Sequence, residues 1–168
     1  MSTSRPVAEP SVTEQVLSLS RLLLDKKLQL ATAESCTGGL IAAACTDLAG
    51  SSAWFERGFV TYSNDAKIEL LGVEERILRR AGAVCEGVAR AMVTGALTHS
   101  KAQVAVAVTG VAGPTGGSAS KPVGTVWFGF AVPGQVVTET CHFAGDRAAV
   151  REATVRHAFT RLLELLGQ

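Results

Sequence analysis

The run of residues 103–109, QVAVAVT in one-letter code, constrains the fold of this chain more than any other segment. Its small apolar residues follow one another almost without interruption, whereas a strand with one face in water alternates apolar and polar residues. An uninterrupted run is typical of a central strand that helices cover on both faces. The sequence therefore predicts an α/β protein whose sheet lies between two layers of helices.

The rest of the chain alternates between helical and extended patterns. Ser11 and Glu14 form a capping box, which predicts a first helix from residue 12 to about residue 27. Apolar spacing and glycine positions then predict strands over 28–33, 55–62, 123–132 and 136–143, and helices over 38–48, 64–71, 74–80, 85–97 and 147–166. This order predicts a three-layer α/β/α sandwich with a mixed, mostly parallel sheet.

Length and composition agree with one domain of this kind. The 168 residues are 47% hydrophobic and 18% charged, which is enough to bury a core without disulfides or metals. We expect residues 1–10, which contain two prolines, to form a flexible tail. Residues 11–168 are then expected to form a single domain.

Charge and cysteine patterns limit the expected partners and compartment. A formal net charge of +1, without long runs of lysine and arginine, gives no electrostatic basis for binding nucleic acid, so we expect a small-molecule ligand. The sequence has no signal-peptide pattern and no membrane-spanning apolar stretch. Four cysteines and three histidines match no metal-binding spacing. We therefore expect a cytoplasmic protein with reduced thiols, no metal and no cofactor. We also expect a homo-oligomer.

Two polar residues lie where the predicted elements meet. Ser35 follows the strand predicted over 28–33, beside backbone N–H groups that the next helix leaves unpaired. Lys67 lies in the first turn of the helix predicted over 64–71, where the helix dipole disfavours the charged form of the amine. A hydroxyl nucleophile paired with an amine base favours amide or ester hydrolysis.

The turn after Ser35 and the end of the next predicted strand supply further candidates. Cys36 is an alternative nucleophile, although its size also suits a packing residue. Tyr62 is expected to hold the serine hydroxyl or relay its proton, and a half-buried tyrosine at a strand end is the alternative. Backbone N–H groups of the turn are expected to bind the negative charge that develops during hydrolysis, and the residues concerned are Thr37, Gly38 and Gly39.

A glycine-rich segment, residues 109–118, follows the central strand. Glycines let backbone N–H groups converge on an anion, and α/β sheets bind ligands at the carboxyl ends of their strands. The P-loop and dinucleotide-binding patterns are absent, and a flexible surface loop would have the same composition. Lys121 and Arg147 are expected to bind a phosphate or carboxylate, against the alternatives of a surface lysine and a residue beside the helix cap Asp146. The candidates for substrate binding within the segment are Thr109, Gly110, Gly113, Gly116 and Gly117.

Three parts of the chain resemble the CinA C-terminal domain family. They are AESCTGG at 33–39, GSSAWF at 50–55 with YSN at 62–64, and GP at 113–114 with KPVGT at 121–125. The resemblance extends over about residues 12–166, which is nearly the whole predicted domain.

The resemblance implies a reaction and roles for three residues. The reaction is hydrolysis of the carboxamide of nicotinamide mononucleotide to nicotinic acid mononucleotide and ammonia, without a metal, in pyridine-nucleotide salvage. In that family a serine nucleophile and a lysine base act with a nearby tyrosine, and these fall on Ser35, Lys67 and Tyr62. The alternative is a non-catalytic nucleotide-binding or regulatory module of the same fold, which needs the glycine-rich segment but not the serine and the lysine.

Overall fold

A five-stranded sheet with helices on both faces forms the body of the molecule. The computed structural model describes residues 7–168. The strands are β1 (Leu30–Glu34), β2 (Phe55–Val60), β3 (Val104–Gly110), β4 (Thr125–Val132) and β5 (Gln135–His142). The helices are α1 (Val12–Lys26), α2 (Leu40–Thr46), α3 (Asn64–Leu71), α4 (Glu75–Ala81), α5 (Glu86–Thr98) and α6 (Arg147–Leu166), and a short 3-10 turn covers Ser51–Ala53.

The order of the strands places the strongly apolar run at the centre. The sheet order is β2-β1-β3-β4-β5, and every residue from Val104 to Thr109 is buried. β1 pairs in parallel with β2 and β3, whereas β4 pairs antiparallel with both β3 and β5. Since β4 alone runs against the other four strands, the predicted mixed, mostly parallel sheet is confirmed.

The two faces of the sheet pack against different sets of helices. The valines of β3, Val104, Val106 and Val108, join a core with α1, α2 and α6. The alternate residues Ala105 and Ala107 join a second core with α3, α4 and α5. This alternation follows from the two-residue period of a strand. The predicted three-layer α/β/α arrangement is therefore confirmed.

Helix α5 lies close to the backbone of β4 and of α3 because a glycine lies at each of the two contacts. A Cβ atom added at Gly129 on β4 would lie 2.6 Å from the carbonyl oxygen of Ala89. A Cβ atom added at Gly95 on α5 would lie 2.0 Å from the carbonyl oxygen of Leu71, the last residue of α3. Both distances are far below a normal carbon–oxygen contact, so glycine is required at these two positions for this packing.

The predicted boundaries agree with the observed ones to within two residues. The start of α2, which follows Ser35, is one of the two-residue differences, since it is predicted at residue 38 and lies at Leu40. Gly38 and Gly39 have φ angles of +59° and +104°, outside the right-handed helical region. The predicted end of α3 is confirmed, since Gly72 follows it in the left-handed conformation.

The N-terminal segment precedes the first helix. The predicted flexible tail falls mainly on residues 1–6, which lie outside the described residues, and residues 7–10 form neither helix nor strand. The predicted capping box is confirmed, because Ser11 and Glu14 each accept a hydrogen bond from the backbone N–H of the other. Within residues 7–168, no helix combines the length and apolar character needed to cross a bilayer.

Candidate active site

The side chains of Ser35 and Lys67 meet at the carboxyl end of β1. Ser35 directly follows this strand, and its N–H donates to the carbonyl of Val108 on β3 at 3.1 Å. Lys67 lies in the first turn of α3, whose N-terminus is capped by the side chain of Ser63. Lys67 Nζ lies 2.9 Å from Ser35 Oγ, and the two residues are 1% and 8% exposed. The strand end and the helix start thus hold an amine against a hydroxyl with little access for bulk water.

The amine of Lys67 is buried without an acidic partner. Its Nζ donates to the carbonyl of Thr61 at 2.8 Å and lies 3.3 Å from the carbonyl of Tyr62. Within the described part of the chain, no carboxylate forms a salt bridge with it. Burial in these surroundings lowers the pKa of Lys67 to about 8.

The neutral form of this amine fits its three neighbours. A neutral amine has two hydrogens and one lone pair, and the hydrogens match the carbonyls of Thr61 and Tyr62. In this form the lone pair is left for Ser35 Oγ, which lies 2.9 Å from Nζ, so that the hydroxyl can donate its hydrogen to the neutral amine. The arrangement can therefore take a proton from Ser35 as its oxygen attacks an electrophile.

The thiol of Cys36 is less suited to nucleophilic attack than the neighbouring hydroxyl. Cys36 lines the same small cavity as Ser35 and Lys67, but its side chain is only 6% exposed. Burial raises the pKa of Cys36 to about 11, so its sulfur remains a protonated thiol at neutral pH. The amine lies against Ser35 Oγ, which favours Ser35 over Cys36 as the nucleophile.

A buried carboxylate fixes the turn that follows Ser35. The side chain of Glu34 is fully buried and accepts hydrogen bonds from Thr37 Oγ1 at 2.6 Å, from the Ile41 N–H at 2.8 Å and from the Ala42 N–H at 3.0 Å. The prediction that the start of α2 leaves its N–H groups unpaired is therefore wrong, because Glu34 occupies two of them. The reason is that the acidic side chain lies inside the molecule, where it satisfies the helix N-terminus in place of a ligand.

Other N–H groups of the turn have different environments. The Gly38 N–H donates to the carbonyl of Ser35 at 3.0 Å, so it is already occupied. The N–H groups of Cys36 and Thr37 donate to no acceptor among residues 7–168. These two amides directly follow Ser35 and can bind a developing negative charge, and the Gly39 N–H also has no acceptor among residues 7–168.

Tyr62 and Arg147 form a contact at the rim of the cavity. The Tyr62 hydroxyl lies 3.2 Å from Arg147 Nη2, and Arg147 Nη1 donates to the carbonyl of Gly113 at 2.8 Å. Tyr62 is 63% exposed, and its hydroxyl is hydrogen-bonded to Arg147 rather than to Ser35. The tyrosine therefore lines the same cavity as Ser35 and Lys67 and is linked to the first turn of α6.

The serine and the lysine lie in a small cavity that adjoins a wider cleft. The cavity has a volume of about 260 Å³, and its lining residues are Ser35, Cys36, Tyr62, Asn64, Lys67, Ala83, Val84, Thr109, Gly110, Ala112 and Arg147. The cleft, of about 490 Å³, shares Ala112 and Arg147 with the cavity and is also bordered by Pro114 and Arg151. Another cleft of about 490 Å³, between residues 9–10 and α6, includes none of the candidate catalytic residues.

The predicted binding residues divide into two groups. Six of the predicted residues line the cavity: Ser35, Lys67, Tyr62, Thr109, Gly110 and Arg147. Thr37 is buried against Glu34, and Gly38 and Gly39 form the bend before α2. Gly113, Gly116 and Gly117 do not line the cavity or the adjoining cleft, although the Gly113 carbonyl accepts from Arg147. Lys121 Nζ donates to the carbonyl of Ala81 at the end of α4.

The structure also brings residues to the site that the sequence predictions did not include. Asn64, Ala83 and Val84 line the cavity, and Arg151 borders the adjoining cleft. Arg151 was detectable in principle, because it lies four residues after Arg147 and therefore on the same face of α6. Ala83 and Val84 belong to the connection between α4 and α5, and neither their chemistry nor their spacing indicates a site.

These features define a class of α/β proteins with a buried hydroxyl–amine pair at the carboxyl end of parallel strands. The family model for the CinA C-terminal domain matches residues 12–166. The chain belongs to the CinA C-terminal domain family, as the resemblance predicted.

Individual relatives support the same assignment. The chain is 54% identical over 162 residues to the nicotinamide-nucleotide amidohydrolase PncC of Enterobacter agglomerans, covering 95% of this chain and 99% of the relative. It is 55% identical over 132 residues to the protein of the same name from Escherichia coli strain K12, covering 78% and 80% of the two chains. The crystal structure of the competence damage-inducible protein A from Klebsiella pneumoniae superposes with a TM-score of 0.91 at 39% identity, covering 95% of this chain and 99% of that one.

Proposed function

We propose that this chain hydrolyses the carboxamide of nicotinamide mononucleotide to nicotinic acid mononucleotide and ammonia, in pyridine-nucleotide salvage. The observation that carries the proposal is the 2.9 Å contact between the buried amine of Lys67 and the hydroxyl of Ser35. The relatives named nicotinamide-nucleotide amidohydrolase, at 54% and 55% identity, indicate which amide is cleaved.

The proposed reaction is of the serine–lysine type and proceeds in two steps. Neutral Lys67 accepts the proton of Ser35 while Oγ attacks the carboxamide carbon, and the carbonyl electron pair moves onto the oxygen. Lys67 then returns the proton to the departing nitrogen, and ammonia leaves an ester on Ser35. A water molecule attacks this ester while Lys67 accepts one of its protons, and Lys67 then returns that proton to Ser35 Oγ as the ester bond breaks. The nicotinic acid product loses its own proton to the solvent and leaves as the carboxylate. The mechanism requires neither a metal nor a cofactor.

The developing oxyanion is assigned to the N–H groups of Cys36 and Thr37. Both amides lack an internal acceptor and directly follow the nucleophile, whereas Gly38 and the first N–H groups of α2 are occupied. Donors of this kind typically contribute several kcal/mol to lowering an acyl-transfer barrier, because they are oriented before the charge forms. Gly39 supports the bend with its positive φ angle.

The substrate is proposed to occupy the cavity with its pyridine carboxamide and the adjoining cleft with its phosphate. Arg147 borders both spaces, and the strand end Thr109 and Gly110 also lines the cavity. We assign the phosphate to Arg147 and to the backbone near Gly113. Tyr62 is proposed to contact the substrate beside the reacting pair. A ligand role for Gly116, Gly117 and Lys121 stays a prediction.

Ammonia release from nicotinamide mononucleotide tests the proposal directly. We expect turnover by the wild-type chain and a loss of about 10³-fold or more in Ser35→Ala, since the nucleophile is removed. Ser52→Ala, which removes an exposed hydroxyl in the Ser51–Ala53 turn, is the matched control and should retain full activity. Nucleotide binding without ammonia release by the wild type would favour the non-catalytic module.

Three further properties belong to the proposal. Residues 11–168 are proposed to act as one domain, and the four free cysteines support a reducing, cytoplasmic location. Homo-oligomerisation is supported by the exposed apolar side chains of Leu40 and Val60 beside the edge strand β2. Sedimentation of the intact chain would measure its oligomeric state.

A further inference from the structure

Arg151 connects the last helix to the turn that carries Ser35. From the second turn of α6, its Nε donates to the carbonyl of Cys36 at 3.1 Å and its Nη2 to the carbonyl of Thr37 at 3.2 Å. Within residues 7–168, Arg151 forms no salt bridge, so its hydrogen bonds to the turn are made without competition from a carboxylate. One rigid guanidinium therefore holds two successive peptide units.

The orientation of these peptide units decides where their N–H groups point. Both peptides are trans, so the N–H of each unit points opposite to its carbonyl. In the second unit, Arg151 holds the Thr37 carbonyl, and the Gly38 N–H on the other side donates to the carbonyl of Ser35. In the first unit, Arg151 holds the Cys36 carbonyl, and the Thr37 N–H is left pointing away from α6 without an internal acceptor.

We propose that Arg151 is a positioning residue that fixes the oxyanion-binding peptide unit between Cys36 and Thr37, directly after Ser35. This inference rests on the proposed function, because it assigns a role in the same hydrolysis. Arg151 acts through the backbone of Cys36 and Thr37 and does not contact the reacting atoms. Glu34 fixes the same turn from the interior through Thr37 Oγ1, so the peptide plane between Cys36 and Thr37 is held from two sides.

A second role for this arginine has to be separated from the first. Arg151 also borders the cleft to which we assign the phosphate, so it is close enough to act as a direct substrate ligand. Loss of a ligand in the ground state raises KM, whereas loss of a correctly oriented oxyanion site lowers kcat. The two roles therefore predict different kinetic changes.

The test compares Arg151→Met and Arg151→Lys with Arg156→Met. Arg156 lies on the same helix and donates to the carbonyl of Pro10, so its substitution also removes an arginine–carbonyl contact from α6, but away from the turn. For Arg151→Met we expect kcat to fall about 10- to 100-fold with KM changed less than about threefold. Arg151→Lys should fall between this variant and the wild type, because a lysine can reach one carbonyl. Arg156→Met should have normal kinetics.

A second measurement uses an uncharged alkyl fluorophosphonate that reacts with Ser35. When Ser35 attacks the phosphorus, negative charge develops on the phosphoryl oxygen, as it does on the carbonyl oxygen during amide hydrolysis. The probe, however, carries no nucleotide phosphate. Mass spectrometry of the intact chain gives its rate, and we expect the same 10- to 100-fold loss in Arg151→Met. The pH midpoint of the rate should stay at the wild-type value, because Lys67 is unchanged.

Several outcomes would overturn the positioning role. A raised KM with unchanged kcat and labelling would make Arg151 a phosphate ligand, and equal losses in Arg156→Met would make the effect general to α6. An unlabelled Ser35 in the wild type would overturn the inference together with the proposed nucleophile. A wild type that is labelled at Ser35 but releases no ammonia would remove the proposed substrate alone, and the labelling rates would still decide the role of Arg151. If Arg151→Met does not fold, the lysine variant supplies the same comparison.

Discussion

Two connections leave neighbouring parallel strands at the same edge of the sheet, and they are held in different ways. The serine turn, residues 35–39 after β1, is fixed by charged side chains from both sides, Glu34 within the core and Arg151 on α6. The β3–β4 loop, residues 111–124, is held mainly by its own backbone, as between Gly124 and Val111. Residues 114–120 of this loop are exposed.

The difference agrees with the division of work that we propose. A nucleophile and its oxyanion donors must be placed within a fraction of an ångström, which requires contacts that resist displacement. A loop that surrounds a phosphate needs accessible N–H groups and tolerates small movements. Substitutions in or around the serine turn should therefore impair catalysis far more than substitutions in the β3–β4 loop.

Among substitutions of residues that contact the serine turn, Lys67→Arg is expected to lower kcat most. Arginine keeps the positive charge but does not deprotonate at accessible pH, so it cannot accept the Ser35 proton. We expect kcat to fall about 10³-fold, within the range for loss of a general base. Lys101→Arg, at an exposed position, is the control and should be unchanged. An active Lys67→Arg enzyme would disprove the general-base role and leave the lysine as a cationic ligand.

The pH dependence of the wild type should reflect the same amine. Since burial lowers the pKa of Lys67 to about 8, kcat/KM should rise about tenfold per pH unit below 8 and level off above it. The unfolded chain binds this proton up to the ordinary value of 10.5, so the contribution of Lys67 to the free energy of unfolding should rise between about pH 8 and 10.5. Denaturant unfolding of wild type and Lys67→Met across this interval measures the difference. A flat rate profile between pH 6 and 9 would contradict the assignment.

A smaller effect on the serine turn is expected for Glu34→Gln. An amide keeps one acceptor oxygen but places an N–H₂ group where Thr37 Oγ1 or the α2 N–H groups now donate. We expect a loss of about 1–3 kcal/mol in the free energy of unfolding and about a tenfold lower kcat. Glu75→Gln, which removes an exposed carboxylate paired with Arg79, should cost less than about 0.5 kcal/mol. Equal stability of the two variants would mean that the buried cap is not important.

The smallest effect is expected in the β3–β4 loop, for Lys121→Met. Lys121 Nζ donates to the last carbonyl of α4, at Ala81, so its removal should loosen the cavity wall near Ala83 and Val84 only slightly. We expect kcat and KM to stay within about threefold of the wild-type values. A rise of tenfold or more in KM would show instead that Lys121 binds the phosphate, as the sequence predicted.

The sequence predicted the fold and the pairing of Ser35 with Lys67 because both depend on local patterns. The apolar run 103–109 identified the central strand, and Ser35 and Lys67 were found from a strand end and a helix start. Arg151 acts on residues more than a hundred positions earlier in the chain, and no local pattern encodes that contact. The inward orientation of Glu34 was missed for a similar reason, because the sequence does not indicate which N–H groups a buried acid will reach.

The close contact between Gly95 and Leu71 affects which homologues of this chain can be expected to be active. Leu71 is the last residue of α3, one turn after Lys67, so a side chain at position 95 would displace the backbone at the end of this short helix. The Lys67 amine on α3 would then move relative to Ser35, which is held at the end of β1 by its hydrogen bond to Val108 on β3. A homologue of this chain can therefore lose activity through a single Gly95→Ala substitution, although every residue that lines the cavity is retained. Retention of the serine and the lysine does not by itself identify a working enzyme.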